Sequence, residues 1–357
     1  LMKQAEKKGN VDLMVDYGNR LFLGIGVPVN KNEAFRLFRK CIDINNNIKA
    51  MYYLGHYLID TNDSNKYLKE AADQGNEKAM IEYGLKLLDH KDKKAHFYFK
   101  KAADLGNSEG MFYIGEMLFL EKEIKIYKKE ALYYFQMAAD LGNIQAMVKY
   151  ANILHSEDEI DKNYEKAGEY YKMAAYYGDV NSMTKYGLML KNGELPADFK
   201  KSAYYLKKAS KQGDIEAMYH YGNLLCVLAL LGECKDKKET EQNYQKAANY
   251  FKNAADAGHI ESCVRYGVLF TKRLLKTDDI GEPIQYLRKA AHNESIDGMV
   301  EYLAATLRLP DDVERKYYYN ILNLSNERFM ISQKLKEKNY PAANFYIETD
   351  NAFPDPL

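Results

Sequence analysis

Tryptophan is absent from the 357 residues, and proline occurs only seven times. With so few helix breakers and so many long side chains, 32 tyrosines among them, the chain favours helices. Also missing is any run near the ~18 consecutive apolar residues of a membrane span. The best candidate, LLCVLALL at Leu224–Leu231, is too short and reads as a buried helix. Net charge is missing too, because 51 basic and 51 acidic side chains cancel. A generic nucleic-acid binder needs an excess of cations to neutralise phosphates, so neither nucleic acid nor membrane is expected as a partner. Only four cysteines occur, Cys41, Cys226, Cys234 and Cys263, at irregular spacings. A disulfide-built secreted array would place a pair in every unit, so reduced, cytoplasmic thiols are expected.

What the chain does contain is repetition. AADLGN stands at Ala102–Asn107 and again at Ala138–Asn143, with AADQGN at Ala71–Asn76 and AADAGH at Ala254–His259. At this length a single compact core is near its limit, and an extended array is an alternative to two domains. Aligned on the glycine, the units fall at Gly9, Gly75, Gly106, Gly142, Gly178, Gly213 and Gly258. Asn46 and Glu294 stand at the corresponding place in two further units. Before the glycine, alanines at helical spacing allow close approach of a neighbour, and the glycine ends that helix as a left-handed cap.

A second helix follows in each unit. Methionine marks one core position at Met14, Met51, Met80, Met111, Met147, Met183, Met218 and Met299, with Cys263 in the remaining unit. Three residues on comes tyrosine in seven units (Tyr17, Tyr83, Tyr150, Tyr186, Tyr221, Tyr266 and Tyr302), which shares the buried face. Glycine usually follows, and since glycine inside a helix costs ~1 kcal/mol relative to alanine, close helix packing is the expected reason. Two amphipathic helices joined by a short turn cannot bury both faces alone; stacking on the next pair buries them.

MVDYGNRLFLGIGVPVNKNEAFRLFRKCIDI, Met14–Ile44, is the fullest unit, with Tyr17-Gly18, the loop Gly24-x-Gly26-Val27, Asn32 and Ala34. In these residues the chain resembles the Sel-1-like repeat family, a relative of the tetratricopeptide repeats, over about residues 3–303. Most later units lack the Gly-x-Gly-Val loop, and the unit beginning near Gly213 carries a roughly nine-residue insertion. The resemblance implies an all-α fold: a right-handed α-solenoid of about nine helix-turn-helix repeats of roughly 36 residues, with a C-terminal capping region. The expected divisions are 1–303 for the solenoid, 304–340 for a helical cap and 341–357 for an extended tail. The opening KQAEKKGN, Lys3–Asn10, is the end of a repeat helix without its beginning, so the array is expected to continue before Leu1.

Catalytic chemistry is not written here, and no cofactor or metal is expected. The seven histidines occupy different repeat phases, and Gly24-x-Gly26 lacks the third glycine and the preceding strand of a dinucleotide loop. Cys226 and Cys234 flank an apolar run and a loop, where a redox pair competes with ordinary burial. Surface remains. At 100° per residue, positions two and five after the methionine point away from the core, toward the groove where solenoids hold partners. The candidate binding residues on that face are Tyr53, Tyr113, Lys149, Asn152, Lys185, His220, Asn223 and Arg265. The tyrosines would be anchors, the asparagines would hold a peptide backbone, and the basic residues would meet an acidic or extended segment.

The resulting expectation is a non-enzymatic scaffold or adaptor that binds other proteins through this face and the tail. Two alternatives accompany it: a structural component of a large assembly, cytoskeletal or ciliary for example, and the regulatory repeat region of a longer enzyme.

Overall fold

The computed structural model describes residues 9–59, 62–120, 125–156, 162–231, 236–274 and 281–306. The expected helical cap, the extended tail, the chain start before residue 9 and Cys234 lie outside them. Seventeen α-helices and no strands are found among the described residues. They group into two compact units divided between Tyr177 and Gly178.

The first unit holds α1 (Val11–Leu23), α2 (Lys31–Asn45), α3 (Ile48–Tyr57), α4 (Asn62–Asp73), α5 (Glu77–Asp89), α6 (Lys94–Asp104), α7 (Ser108–Leu120), α8 (Lys125–Asp140), α9 (Ile144–Ser156) and α10 (Tyr164–Tyr176). The second holds α11 (Val180–Asn192), α12 (Phe199–Ser210), α13 (Ile215–Leu230), α14 (Lys237–Asp256), α15 (Ile260–Thr271), α16 (Gly281–His292) and α17 (Ile296–Thr306). Odd-numbered helices carry the methionine position, and even-numbered ones other than α2 and α12 carry the paired alanines. Within each unit every helix packs on its predecessor and its successor, which makes each unit an α-solenoid of helix pairs.

The six-residue motif resolves into four separate tasks. Ala102 and Ala103, like Ala71 and Ala72, are buried against neighbouring helices. Gly75, Gly106 and Gly142 take φ of 100°, 89° and 90°, the left-handed conformation that ends the alanine helix. Asn46 and Glu294, the expected stand-ins, do the same at φ 56° and 60°. The asparagine then starts the methionine helix: Asn76 Oδ1 accepts from the Ala79 N–H at 2.9 Å and Asn107 Oδ1 from the Gly110 N–H at 3.0 Å. Asp179 and Asp214 take over that cap for α11 and α13, and the His259 ring for α15.

In three of its four copies the motif's aspartate ties one repeat to the next, while Asp104 pairs with Lys100 of its own helix. Tyr98 donates to Asp73 at 2.9 Å, Tyr170 to Asp140 at 2.6 Å and Tyr286 to Asp256 at 2.5 Å. These same tyrosines lie edge-on to tyrosines of the methionine helices, as in Tyr83–Tyr98 at 5.0 Å and Tyr150–Tyr170 at 4.8 Å between ring centroids. Burial raises the Tyr98 and Tyr170 phenols, and the hydrogen bond to aspartate adds to it. Burial opposes ionisation of Asp73, but the Lys69 ammonium and the Tyr98 hydroxyl outweigh it and hold its carboxyl below the usual range.

The helical glycines have the expected packing cause. A Cβ on Gly84 would lie 2.6 Å from Phe99 Cε1, and one on Gly222 would lie 2.7 Å from Phe251 Cε1. In each case the ring belongs to the next alanine helix, so the missing side chain makes room for a large fully buried aromatic.

The apolar run at Leu224–Leu231 is helical, as expected, in α13, with Leu231 as its C-cap. Only part of it is buried: Leu224 and Leu225 face the core, while Leu230 and Leu231 are exposed. A run spirals around its helix, so one stripe alone can reach a neighbour. The insertion expected after Gly213 lengthens α13 to 16 residues and α14 to 20, against 13 in α11.

Candidate partner-binding face

In the first unit the candidate residues are engaged within the fold. Tyr53 is half-buried, stacked on Phe38 at 5.7 Å and on Tyr57 at 5.9 Å. Tyr113 stacks on Phe99 at 4.9 Å, and burial raises its phenol. The Lys149 ammonium lies 2.8 Å from Glu116 and 5.0 Å from the centroid of the Phe119 ring. Asn152 Oδ1 accepts from the Tyr171 hydroxyl at 2.7 Å. These side chains join helices to one another.

The second unit differs. Lys185 is half-buried on α11, and burial lowers its ammonium while Asp179 partly opposes the shift. His220, on α13, is pushed down to about 4, first by burial and then by the charges of Lys191 and His259. Its Nδ1 is buried without a hydrogen-bond partner among the described residues, and its Nε2 lies 3.5 Å from the exposed Glu216 carboxylate. Asn223, one turn further along α13, makes no side-chain hydrogen bond with a described residue. Arg265 on α15 is exposed, pairs with no described carboxylate, and places its charge near Cys226.

Position-by-position reading from the methionine missed Lys191, eight residues after Met183. It lies between the core and groove directions, half-buried, with its ammonium lowered by burial alone. No described group forms an ion pair with it. The signal that could have found it is the matching phase of Cys226, eight residues after Met218, on the next methionine helix.

Burial also governs the cysteines: Cys41 and Cys226 are each raised to about 11, and with Cys263 they are unpaired thiols. Among the described residues, no group of three or more histidine, cysteine or acidic side chains is arranged to hold a metal ion. None of the described helices is long and apolar enough to cross a membrane.

A model of the Sel1 repeat matches residues 11–43, 48–76, 79–107, 108–143, 144–179, 180–214 and 215–259, most of the chain. The chain belongs to the Sel1 repeat family. Each matched segment from residue 108 to 259 holds one methionine helix and the alanine helix after it. Beyond residue 259, α15 to α17 keep the same pairing and the Met299–Tyr302 spacing. Among solved structures, a Sel1 repeat protein from Oxalobacter formigenes is 24% identical over 66% of this chain and 99% of its own, with a TM-score of 0.50. A protective antigen of uropathogenic Escherichia coli strains, displaying the same repeat fold, is 18% identical over 100% of this chain and 82% of its own, with a TM-score of 0.49. No curated protein matches the chain. Sel1 repeats form a fold of the kind that binds other proteins.

Proposed function

We propose that this Sel1 repeat protein is a non-enzymatic scaffold that holds other proteins, and that one partner presents an extended acidic segment to its methionine helices. The observation that carries this reading is the contrast in charge satisfaction along that face. Lys149 is neutralised by Glu116, whereas Arg265 and Lys191 have no described carboxylate to pair with. Lys191, half-buried and without a described counter-charge, lowers stability, so its presence favours a ligand that compensates it. Three unpaired, unreactive thiols support placing the scaffold in a reducing compartment such as the cytoplasm.

The test is recovery of the intact protein from its native source at low and at high salt, with identification of what comes with it. A stoichiometric partner released by salt is the expected result. Recovery of the protein alone at both salts, with a catalytic domain elsewhere in the full chain, overturns it in favour of a regulatory region of an enzyme.

One further observation favours a permanent structural role. Phe97, Tyr133 and Tyr204 occupy the same repeat position on their alanine helices, and all are more than half exposed. A partner that survives high salt would direct attention to these rings rather than to the charges.

A further inference from the structure

The cations of this chain balance its acids only in total. In α12, FKKSAYYLKKAS, four lysines stand with no acid among them, and the C-cap adds a fifth, Lys211. At 100° per residue Lys200, Tyr204, Lys207 and Lys211 fall within about 60° of one another, with Lys208 beside them. The buried Leu206 and Ala209 point the opposite way. Lys200, Lys207 and Lys211 are exposed, and the Tyr204 ring in their midst is 61% exposed. Lys201 pairs with Asp198 at 3.1 Å, whereas the other four have no described carboxylate. From Lys200 to Lys211 the row runs about 16 Å.

The needs of the fold do not account for this row. A helix dipole favours Lys207 and Lys208 in the last turn but disfavours Lys200 and Lys201 in the first. Lys211 stands where Asp73, Asp104, Asp140 and Asp256 stand in other units. An acid there would relieve the lysines one turn back. It would also face the next clasp tyrosine, Tyr250, whose hydroxyl bonds no described residue although its ring keeps the edge-on contact with Tyr221. The matching positions of α10 mix signs, with Glu165, Lys166, Glu169 and Lys172. Further along the second unit the outward positions stay basic at Lys246 and Arg288, while Asp256 and Glu282 are taken up by Tyr286 and Lys252.

We infer that the outward side of α12 docks on an anionic lipid surface, with its lysines over the headgroup charges and Tyr204 seated between them. This goes beyond the scaffold reading and leaves the methionine helices free for a partner protein. The side in question is the ridge of a helix that packs on α11 and α13 through its opposite face, so it meets a flat partner rather than enclosing a strand. Its cations are all lysine. A hydrated point charge follows diffuse surface charge, whereas the planar fork of arginine suits single carboxylates. Clusters of four or more lysines along one helix match the charge of acidic lipid headgroups, and a tyrosine places its ring at their depth. The helix lies on the surface and does not span it. Zero net charge speaks against a membrane for the chain as a whole, but attraction within a Debye length depends on the local excess.

The experiment is flotation of the full chain with vesicles of phosphatidylcholine, alone or with about one-third phosphatidylserine, at low salt and at about 0.3 M. The chain floats only with the anionic vesicles and is released by salt. Lys207→Gln with Lys211→Gln lowers the partition coefficient about twenty-five-fold, roughly fivefold for each lysine. Tyr204→Ser lowers it a few-fold. Lys78→Gln with Lys172→Gln, at exposed positions of the first unit, removes the same charge and changes it less than about twofold. Unchanged thermal midpoints show that these variants fold. No flotation with anionic vesicles, equal flotation with neutral ones, or equal losses in the two double variants overturns the docking face. If vesicles fail while labelled hexaglutamate binds, and Lys207→Gln with Lys211→Gln abolishes that binding, the row serves an acidic protein and the lipid assignment is overturned.

Discussion

The two units are built alike and differ in what they do with their outward polar groups. In the first, Lys149 closes on Glu116, Asn152 receives Tyr171, and Tyr53 and Tyr113 lie flat on neighbouring rings. In the second, Arg265 and Lys191 carry charge that nothing described neutralises, and Asn223 holds an unused amide. The same helical position therefore serves cohesion in one unit and is open to recognition in the other. A repeat architecture permits this because its core demands only the alanine, methionine, tyrosine and glycine positions. The outward positions are free to diverge.

The strongest way to test that the frame is shared is to overfill it in both units. Gly84→Val and Gly222→Val would each drive a side chain into a buried phenylalanine ring, and each should cost about 3 kcal/mol. Denaturant unfolding of the two variants should show similar losses; a large disparity would mean that the units differ in their cores as well.

Next in size is a pH effect belonging to the second unit. The folded value of His220, about 4, lies below the ~6.5 of an exposed imidazole, so the unfolded chain takes up the proton first as pH falls. Stability is full above that unfolded value, declines between about pH 6.5 and pH 4, and loses about 3 kcal/mol in all. His220→Gln should flatten that part of the curve, measured by thermal unfolding across the range; an unchanged slope would remove His220 from the account.

Smaller again is the clasp between repeats. Tyr170→Phe deletes the hydroxyl that reaches Asp140 but keeps the ring against Tyr150, so a loss of about 1 kcal/mol is expected. The smallest effects carry opposite signs and sharpen the contrast most. Lys149→Met breaks an ion pair and should cost about 0.5 kcal/mol. Lys191→Met removes a half-buried charge with no described partner and should gain up to about 1 kcal/mol. Equal signs in the two unfolding measurements would erase the distinction between the units.

Much of this was legible in the residues. The left-handed caps at Gly75, Gly106 and Gly142, and even at Asn46 and Glu294, follow from a motif that recurs with few substitutes. The buried Met and Tyr positions follow from helical period. Less legible was what the outward residues touch, because Lys149 and Arg265 share a phase yet the preceding methionine helix offers Glu116 five residues after its methionine in one case and Asn223 in the other. Pairing of that kind depends on two helices some thirty residues apart, and on side chains long enough to choose between directions. Lys191 escaped because it stands between the two faces that a helical count separates. The tyrosine–aspartate clasp was hidden for a similar reason: each half looks like an ordinary core or surface residue until neighbouring repeats are brought together.

That clasp has a consequence for how such a chain changes over generations. Asp73, Asp140 and Asp256 are each matched to a tyrosine only 25 or 30 residues ahead. A stretch of gene encoding one whole unit carries an aspartate for the unit after it and a tyrosine for the unit before it. Duplicating or deleting such a stretch between units that carry both groups leaves each fastening with a mate. Arrays of this type can therefore gain or lose length by single copying errors, and newly made copies start with outward positions free to drift toward a new partner.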